Sequence, residues 1–498
     1  MNSNSHYRQL VARFQRLMTL GDAEAMLQWD WAAMMPSGSA EARSEQLAVM
    51  KAIGHGLLVS PEIEELLEAA ESDGGLDIRQ TANLRRMKHM WLHESALTED
   101  MVTALSKASS KCETAWRTAR PESNFAAVRP GLEALLDLVR EAAAAKAERL
   151  GLSPYDALLD KYDPSAGSDD IDAEFSDLEA FLPDFLKEVL LRQAQRPAAI
   201  VPRGPFPVNR QRRLSMRLMT ALGFDFTHGR LDVSLHPFCG GSPDDVRITT
   251  RYDKNDFTSS IMGVLHETGH ALYEMGLPKE WRGQPAGRAS GMSIHESQSL
   301  LIEMQVCRSR DFLSFAAPLF AEAFDGEGPA WEADNLFNLY TKVEPGFIRV
   351  VADEVTYPSH VILRYRLEKA MIAGDLRVAD LPAAWNDGMK RMLGLTPPND
   401  REGCLQDIHW FGGDWGYFPT YTLGAMAAAQ LFEAARNSNE GIVEGIRRGD
   451  FVPLLAWLRE NVHGKGSLLT SHDLMTEATG RPLNPDAFKR HLRQRYLA

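Results

Sequence analysis

The sequence predicts a mostly α-helical protein carrying one small β-sheet. Three observations lead there. Apolar residues recur three and four apart from Tyr7 to about Leu191, a Pro- and Gly-rich stretch between Arg196 and Gly241 breaks that spacing around an alternating run, and helical spacing then resumes to the end.

In the N-terminal part, Leu10, Phe14 and Leu17, and then Leu132, Leu135, Leu136 and Val139, have the spacing that lines one face of a helix. Turn signals divide this part into a stack of helices: Met35-Pro36-Ser37-Gly38, Ser60-Pro61, Asp73-Gly74-Gly75 and Leu152-Ser153-Pro154. The acidic run Asp169-Asp170-Ile171-Asp172 reads as a solvated helix start, where carboxylates favour the positive end of the dipole. In the middle stretch, Leu231-Asp232-Val233-Ser234-Leu235 alternates as a half-buried strand does, and the β-branched run from Arg247 to Tyr252 predicts a second strand. With no repeat or low-complexity linker, residues 1–498 read as a single two-lobed domain rather than as separable ones.

Composition narrows the function. The chain of 498 residues is 44% apolar and 24% charged, which is ordinary globular composition. Its net charge of −14, with no Lys/Arg-rich run, excludes nucleic acid as a natural partner. Cys112, Cys239, Cys307 and Cys404 lie far apart and read as scattered reduced thiols rather than a disulfide framework or a thiolate metal site. Met1–Leu20 mixes arginines with apolar residues and lacks a secretory pattern, and no 18 apolar residues run together, so neither export nor membrane insertion is expected. A cytoplasmic protein fits these features.

The chemistry is concentrated between Thr258 and Pro278. A Thr or Ser at 258–260 is suited to cap a helix, and Gly276 followed by Pro278 to stop it. Ile261, Leu265, Thr268, Leu272 and Met275 then form the core stripe. His266 and His270 lie one turn apart beside it, so that their imidazoles converge on one ion, and Glu267 is placed to take a proton from the attacking water. Gly269 leaves room for another backbone or a substrate. With 14 histidines, the pattern would arise by accident in roughly a few per cent of chains, so it carries weight without being decisive.

A hydrolytic zinc takes three protein ligands and leaves one position open. The third is sought in the helix-like segment from Ser293 to Glu303, where Glu296 stands 296 − 270 = 26 residues past the second histidine. His295 and Glu303 are the alternatives there.

At this point the chain resembles the carboxypeptidase Taq family of metallocarboxypeptidases. The signatures occur in order: His236-Pro237-Phe238, the DxRxT run from Asp245 to Thr249, the HExxH at 266–270, His295-Glu296-Ser297-Gln298, Ile348 to Asp353, and Gly403 to Trp410. Weaker family-like runs from Trp29-Asp30 through Met35-Pro36, at Tyr155–Asp160 and at Leu483-Asn484-Pro485 extend it almost end to end. The resemblance implies a mostly helical body with a deep active-site groove and a small sheet, similar to neurolysin-like HExxH peptidases. It also implies Glu296 as third ligand, removal of single residues from peptide C-termini, and a cytoplasmic homodimer. Ile302, Met304 and Met275 depart from the family's usual residues, which bears on substrate preference.

Roles follow for the remaining residues. Zinc, with Co2+ as a substitute, is the expected metal, and peptides are the expected partners. The resemblance supports Tyr417 and Tyr421 as donors to the oxyanion that forms during hydrolysis. An exopeptidase must also read a free α-carboxylate, which a guanidinium does with paired hydrogen bonds. Arg349 is the first choice and Arg247 the second, with His409 and Gln406 as polar helpers. An i,i+4 ion pair with Asp353 is the plain alternative for Arg349, and Asp245 is suited to orient Arg247. His236 either lines the groove or makes a structural hydrogen bond. Two other classes remain at this stage: an endopeptidase or aminopeptidase on the same scaffold, and a non-catalytic peptide-binding helical protein.

Overall fold

All four turn signals of the N-terminal part mark helix boundaries in the computed structural model, which describes residues 5–497. One helix starts at Pro61 and ends at Asp73 against Gly74. Pro154 opens a further helix, capped by the Ser153 hydroxyl, which accepts from the Asp156 amide. The expected stripe Leu132, Leu135, Leu136 and Val139 is buried on the helix Phe125–Leu150. No helix among the described residues is long and apolar enough to cross a membrane. The four cysteines are free.

The described residues are mostly helical with one three-stranded sheet. The chain divides into two compact units, one comprising Met1–Trp91, Ala198–Thr341 and Ala427–Leu483, the other Leu92–Pro197, Lys342–Met426 and Asn484–Ala498.

The sheet belongs to the first unit. Its strands are β1 (Gly229–Val233), β2 (Phe238–Ser242) and β3 (Asp245–Thr250), in the order β1-β3-β2. Strand β3 runs parallel to β1 and antiparallel to β2. Both strands expected from the sequence exist and begin two residues earlier than the alternation suggests. The sequence reading lacks β2, because Phe-Cys-Gly-Gly-Ser has little β-propensity of its own. Its pairing comes from the turn at Pro243-Asp244, set by Ser242 opposite Asp245. Gly241 has φ +97°, and a Cβ there would lie 2.1 Å from the Asp245 carbonyl oxygen, so the position requires glycine.

Leu231, Val246 and Ile248 of the sheet pack with Met219, Phe224, Val264 and Ala271 into one buried cluster. Val264 and Ala271 lie on the helix Thr258–Gly276, so the sheet face fixes the helix that carries the HExxH motif. The cap of this helix differs from the expectation. Asp256, not a residue of 258–260, accepts from the Thr258 amide at 2.8 Å and from the Thr258 and Ser259 hydroxyls. A carboxylate two residues upstream reaches the orphan amide, and the hydroxyls serve it as donors.

In the second unit, the expectation of a merely solvated acidic run is also corrected. Asp169 and Asp170 do occupy the first turn of the helix Ser168–Gln193. Asp172 instead takes hydrogen bonds from Tyr365, Arg366 and Lys369, so it ties this helix to the helix Tyr357–Ala373.

Candidate active site

At about 100° per residue, positions 266, 267 and 270 fall within an arc of about 100° on one helix. Their side chains therefore share a face. The helix Met292–Leu300 crosses it at Gly269, where an added Cβ would lie 2.4 Å from the Gln298 carbonyl oxygen and 2.6 Å from the Ser299 Cα. Glycine is what lets the two backbones approach, and that approach delivers Glu296.

The Glu296 Oε2 lies 3.4 Å from the His270 Nε2 and 3.9 Å from the His266 Nε2. The three side chains each offer a ligand atom within 4.8 Å of the others. Two imidazole nitrogens and a carboxylate oxygen so converged fit a divalent ion such as zinc, which takes that donor set. The two alternatives for the third ligand are occupied otherwise. His295 Nε2 is 2.9 Å from Glu274 Oε1, and Glu303 Oε2 is 2.9 Å from Nδ1 of His266, the nitrogen facing away from Glu296.

The cluster is dense in charge. Burial alone would lower the His266 pKa, but the hydrogen bond to Glu303 and the charges of Glu296 and Glu267 raise it to about 10. Burial and the nearby His295 hold His270 down to about 4. Against burial, Arg308 and His266 keep Glu303 ionised, with a pKa of about 2. Glu267 is 7% exposed, and burial pushes its carboxyl up to about 7, with Glu296 and Glu303 adding to the rise and His266 opposing it. Its carboxyl therefore changes charge near neutral pH.

Arg247 is also in the first unit, on β3. Asp245 accepts from its Nε at 2.9 Å and its Nη2 at 2.6 Å, as an orienting role requires. Its register partner on β1 is Arg230, and the ring of buried Trp29 lies against both guanidinium groups, at 4.6 Å from Arg247 and 5.2 Å from Arg230. Trp29 thus holds two like charges side by side. His236 is exposed, and it is its carbonyl rather than its ring that takes the Ser234 hydroxyl.

The remaining expected residues gather in the second unit. Arg349 donates to Asp407 through Nε and Nη2, the latter at 2.7 Å, and to the Tyr357 hydroxyl through Nη1 at 2.7 Å. The anticipated ion pair with Asp353 does not form: Arg349–Val351 is a 3-10 turn without i,i+4 stacking, and Asp353 caps the amides of Val355 and Thr356. Asp407 also receives fully buried Arg364, whose Nε lies 2.6 Å away. The Gln406 amide joins the backbone at Phe347, Arg349 and Gly403.

Tyr421 lies beneath the Arg349 guanidinium at 4.9 Å, and its hydroxyl is 3.4 Å from the His409 Nε2. Tyr417 stacks on His409 and meets Tyr421 edge-on. Burial, with Arg349 and Arg364 nearby, holds His409 down to about 4 against the pull of Asp407, so its ring is neutral at pH 7. The segment carrying these groups is pinned by Glu368, which accepts from Trp410 Nε1, the Tyr155 hydroxyl and the Gly416 amide. Sequence reasoning passed over Glu368, Arg364, Arg308 and the stacking role of Trp29. Asp407 was visible inside its signature without a role, and the others carry no local signal.

The chain matches the family described as carboxypeptidase Taq (M32) metallopeptidase over residues 9–496. It is 36% identical to thermostable carboxypeptidase 1 of Thermus thermophilus, over 100% of this chain and 99% of the relative. To carboxypeptidase 1 of Bacillus subtilis it is 33% identical, over 97% and 96%. Among solved structures, metallocarboxypeptidase 1 of Trypanosoma cruzi superposes with a TM-score of 0.97 at 42% identity, covering 99% of both chains. The M32 carboxypeptidase of Deinococcus radiodurans superposes with a TM-score of 0.94 at 34% identity, again over 99% of both.

Proposed function

The chain belongs to the carboxypeptidase Taq (M32) metallopeptidase family and is a metallocarboxypeptidase, and from that premise we propose that it is zinc-dependent and releases single residues from peptide C-termini. The observation that carries this reading is the convergence of His266 Nε2, His270 Nε2 and Glu296 Oε2 beside the buried carboxyl of Glu267. His266, His270 and Glu296 are the residues to hold the ion. When bound, a divalent ion there supplies Lewis acidity towards the scissile carbonyl and a lower pKa for water.

The chain's own residues do the rest. Glu267 accepts the proton of the attacking water and returns it to the leaving amine. Tyr421 and Tyr417 are assigned to the oxyanion on the strength of the family resemblance, with neutral His409 as partner to the Tyr421 hydroxyl. Tyr421→Phe is expected to lower kcat by about 10²-fold with little change in KM, checked by steady-state kinetics.

For the α-carboxylate, with Arg349 the first choice from the sequence and Arg247 the second, side-chain exposure favours Arg247. The Arg247 side chain is 22% exposed and that of Arg349 only 6%, so Arg247 is the better placed reader and Arg349 the better brace for Tyr421. A cytoplasmic homodimer remains the reading for location and assembly.

Mass spectrometry of a peptide mixture after incubation tests the function. C-terminal ladders are expected, with N-blocked peptides cut and C-terminally amidated ones spared. Cutting of amidated peptides, or N-terminal ladders, would sink the carboxypeptidase reading.

The charge pattern predicts how the ion enters. His266 holds a proton up to about pH 10 in the metal-free cluster, and a ligand must give that proton up. Zinc uptake at pH 7 is therefore expected to release between about one and two protons, one from His266 and part of one from Glu267, whose carboxyl a bound cation turns towards the anion, and affinity to fall as pH falls. Calorimetry in buffers of different ionisation enthalpy measures this directly.

A further inference from the structure

We infer that Glu303 and Arg308 form a buried ionic brace that sets how firmly His266 holds the ion, making this histidine the tuned ligand of the pair. The inference rests on the metallopeptidase reading above. The His266 ring is engaged at both nitrogens, with Nε2 facing Glu296 and Nδ1 held by Glu303 Oε2 at 2.9 Å. The other Glu303 oxygen accepts from Arg308 Nη2 at 2.6 Å, and Arg308 Nη1 donates to the Tyr340 carbonyl oxygen at 3.3 Å.

Each link has a chemical consequence. A carboxylate on Nδ1–H fixes the tautomer that presents the Nε2 lone pair and strengthens it as a donor. A guanidinium is always charged and binds in a fixed fork, so Arg308 holds Glu303 as an anion turned towards Nδ1 and away from the ion. His270 has no such support: its Nδ1 is buried and meets no hydrogen-bond partner among the described residues.

The backbone is shaped for this contact. Leu301–Cys307 is a π-helical turn, a form uncommon in itself and frequent at functional sites. The Arg308 amide closes it with a bond to the Glu303 carbonyl at 3.1 Å, five residues back. Arg308 therefore holds Glu303 twice, by backbone and by side chain. A normal α-turn would bond the Arg308 amide one residue later and would not join the two residues this way.

The test is transfer of the ion from zinc-loaded protein to a chelating dye, together with the visible spectrum of the Co2+-loaded form. Glu303→Gln keeps an acceptor for Nδ1 but removes the charge, and release about 10 to 100 times faster than wild type is expected, with a shifted Co2+ spectrum. Arg308→Gln should speed release by about tenfold, and Arg308→Lys, which keeps the charge, should restore most of the wild-type rate. Melting of the metal-free forms monitors the fold, and should Glu303→Gln not fold, the two Arg308 variants carry the comparison. Release within about twofold of wild type and unchanged Co2+ spectra in the folded variants would overturn the brace. A wild-type protein that takes up no ion would instead overturn the metallopeptidase reading on which the brace rests.

Discussion

Glu267→Gln is expected to keep the fold and the ion while losing about three orders of magnitude in kcat. The substitution is isosteric, and position 267 lies on the shared face of the helix without belonging to the ligand set. What it removes is the group that takes the proton, an effect of about 10²- to 10⁴-fold for a positioned base. A thousandfold loss corresponds to about 4 kcal/mol of transition-state stabilisation. The sign of the pH dependence follows. Burial raises Glu267 to about 7 in the metal-free cluster, and a bound cation lowers that value because it favours the carboxylate. The competent form is the anion, so wild-type kcat/KM should fall towards acid along a limb that the Gln variant lacks. Kinetics across pH, with metal content measured on the same samples, decide the matter. Turnover in the variant within a few-fold of wild type would remove Glu267 from the role of base.

The helices were legible because their determinants are local. A proline at 61 or 154, a Gly-Gly at 74–75 and a stripe such as Leu132, Leu135, Leu136 and Val139 act within a turn or two of themselves. The HExxH triad was legible for the same reason, since one helix supplies His266, Glu267 and His270. Strand β2 was not, because its pairing is imposed by β3 and a tight turn rather than by its own residues. Position alone left Glu296 beside two alternatives, and the family resemblance pointed to it; what distinguishes the three in the folded chain is tertiary: Glu274 engages His295, and the far nitrogen of His266 engages Glu303. The partner of Arg349 shows the same limit. From sequence the nearest carboxylate is Asp353, four residues away, whereas the folded chain supplies Asp407 from 58 residues further on.

Asp407→Asn should be strongly destabilising. The carboxylate lies between Arg349 and Arg364, both almost enclosed, and it receives hydrogen bonds from each. The amide keeps the shape but leaves two buried guanidinium groups with no counter-charge. Breaking a buried ion pair from one side costs about 3–5 kcal/mol, because the stranded charge stays out of water. The loss should reach activity as well, since Arg349 lies against Tyr421 and Tyr357, and Gln406 ties the adjacent backbone. Replacing Asp407 and Arg364 together by Asn and Met should recover part of the stability, because the second change removes one of the stranded charges. The linkage with pH has a definite sign. The two arginines hold Asp407 well below the usual carboxylate range despite its burial. Its contribution is therefore complete above the unfolded-chain value near 4 and is lost as pH falls below it towards the depressed folded value. Denaturation midpoints at pH 7 and pH 3 should differ less between Asp407→Asn and wild type at the lower pH. An unchanged gap at the two pH values would mean that the lost charge is not what destabilises the variant.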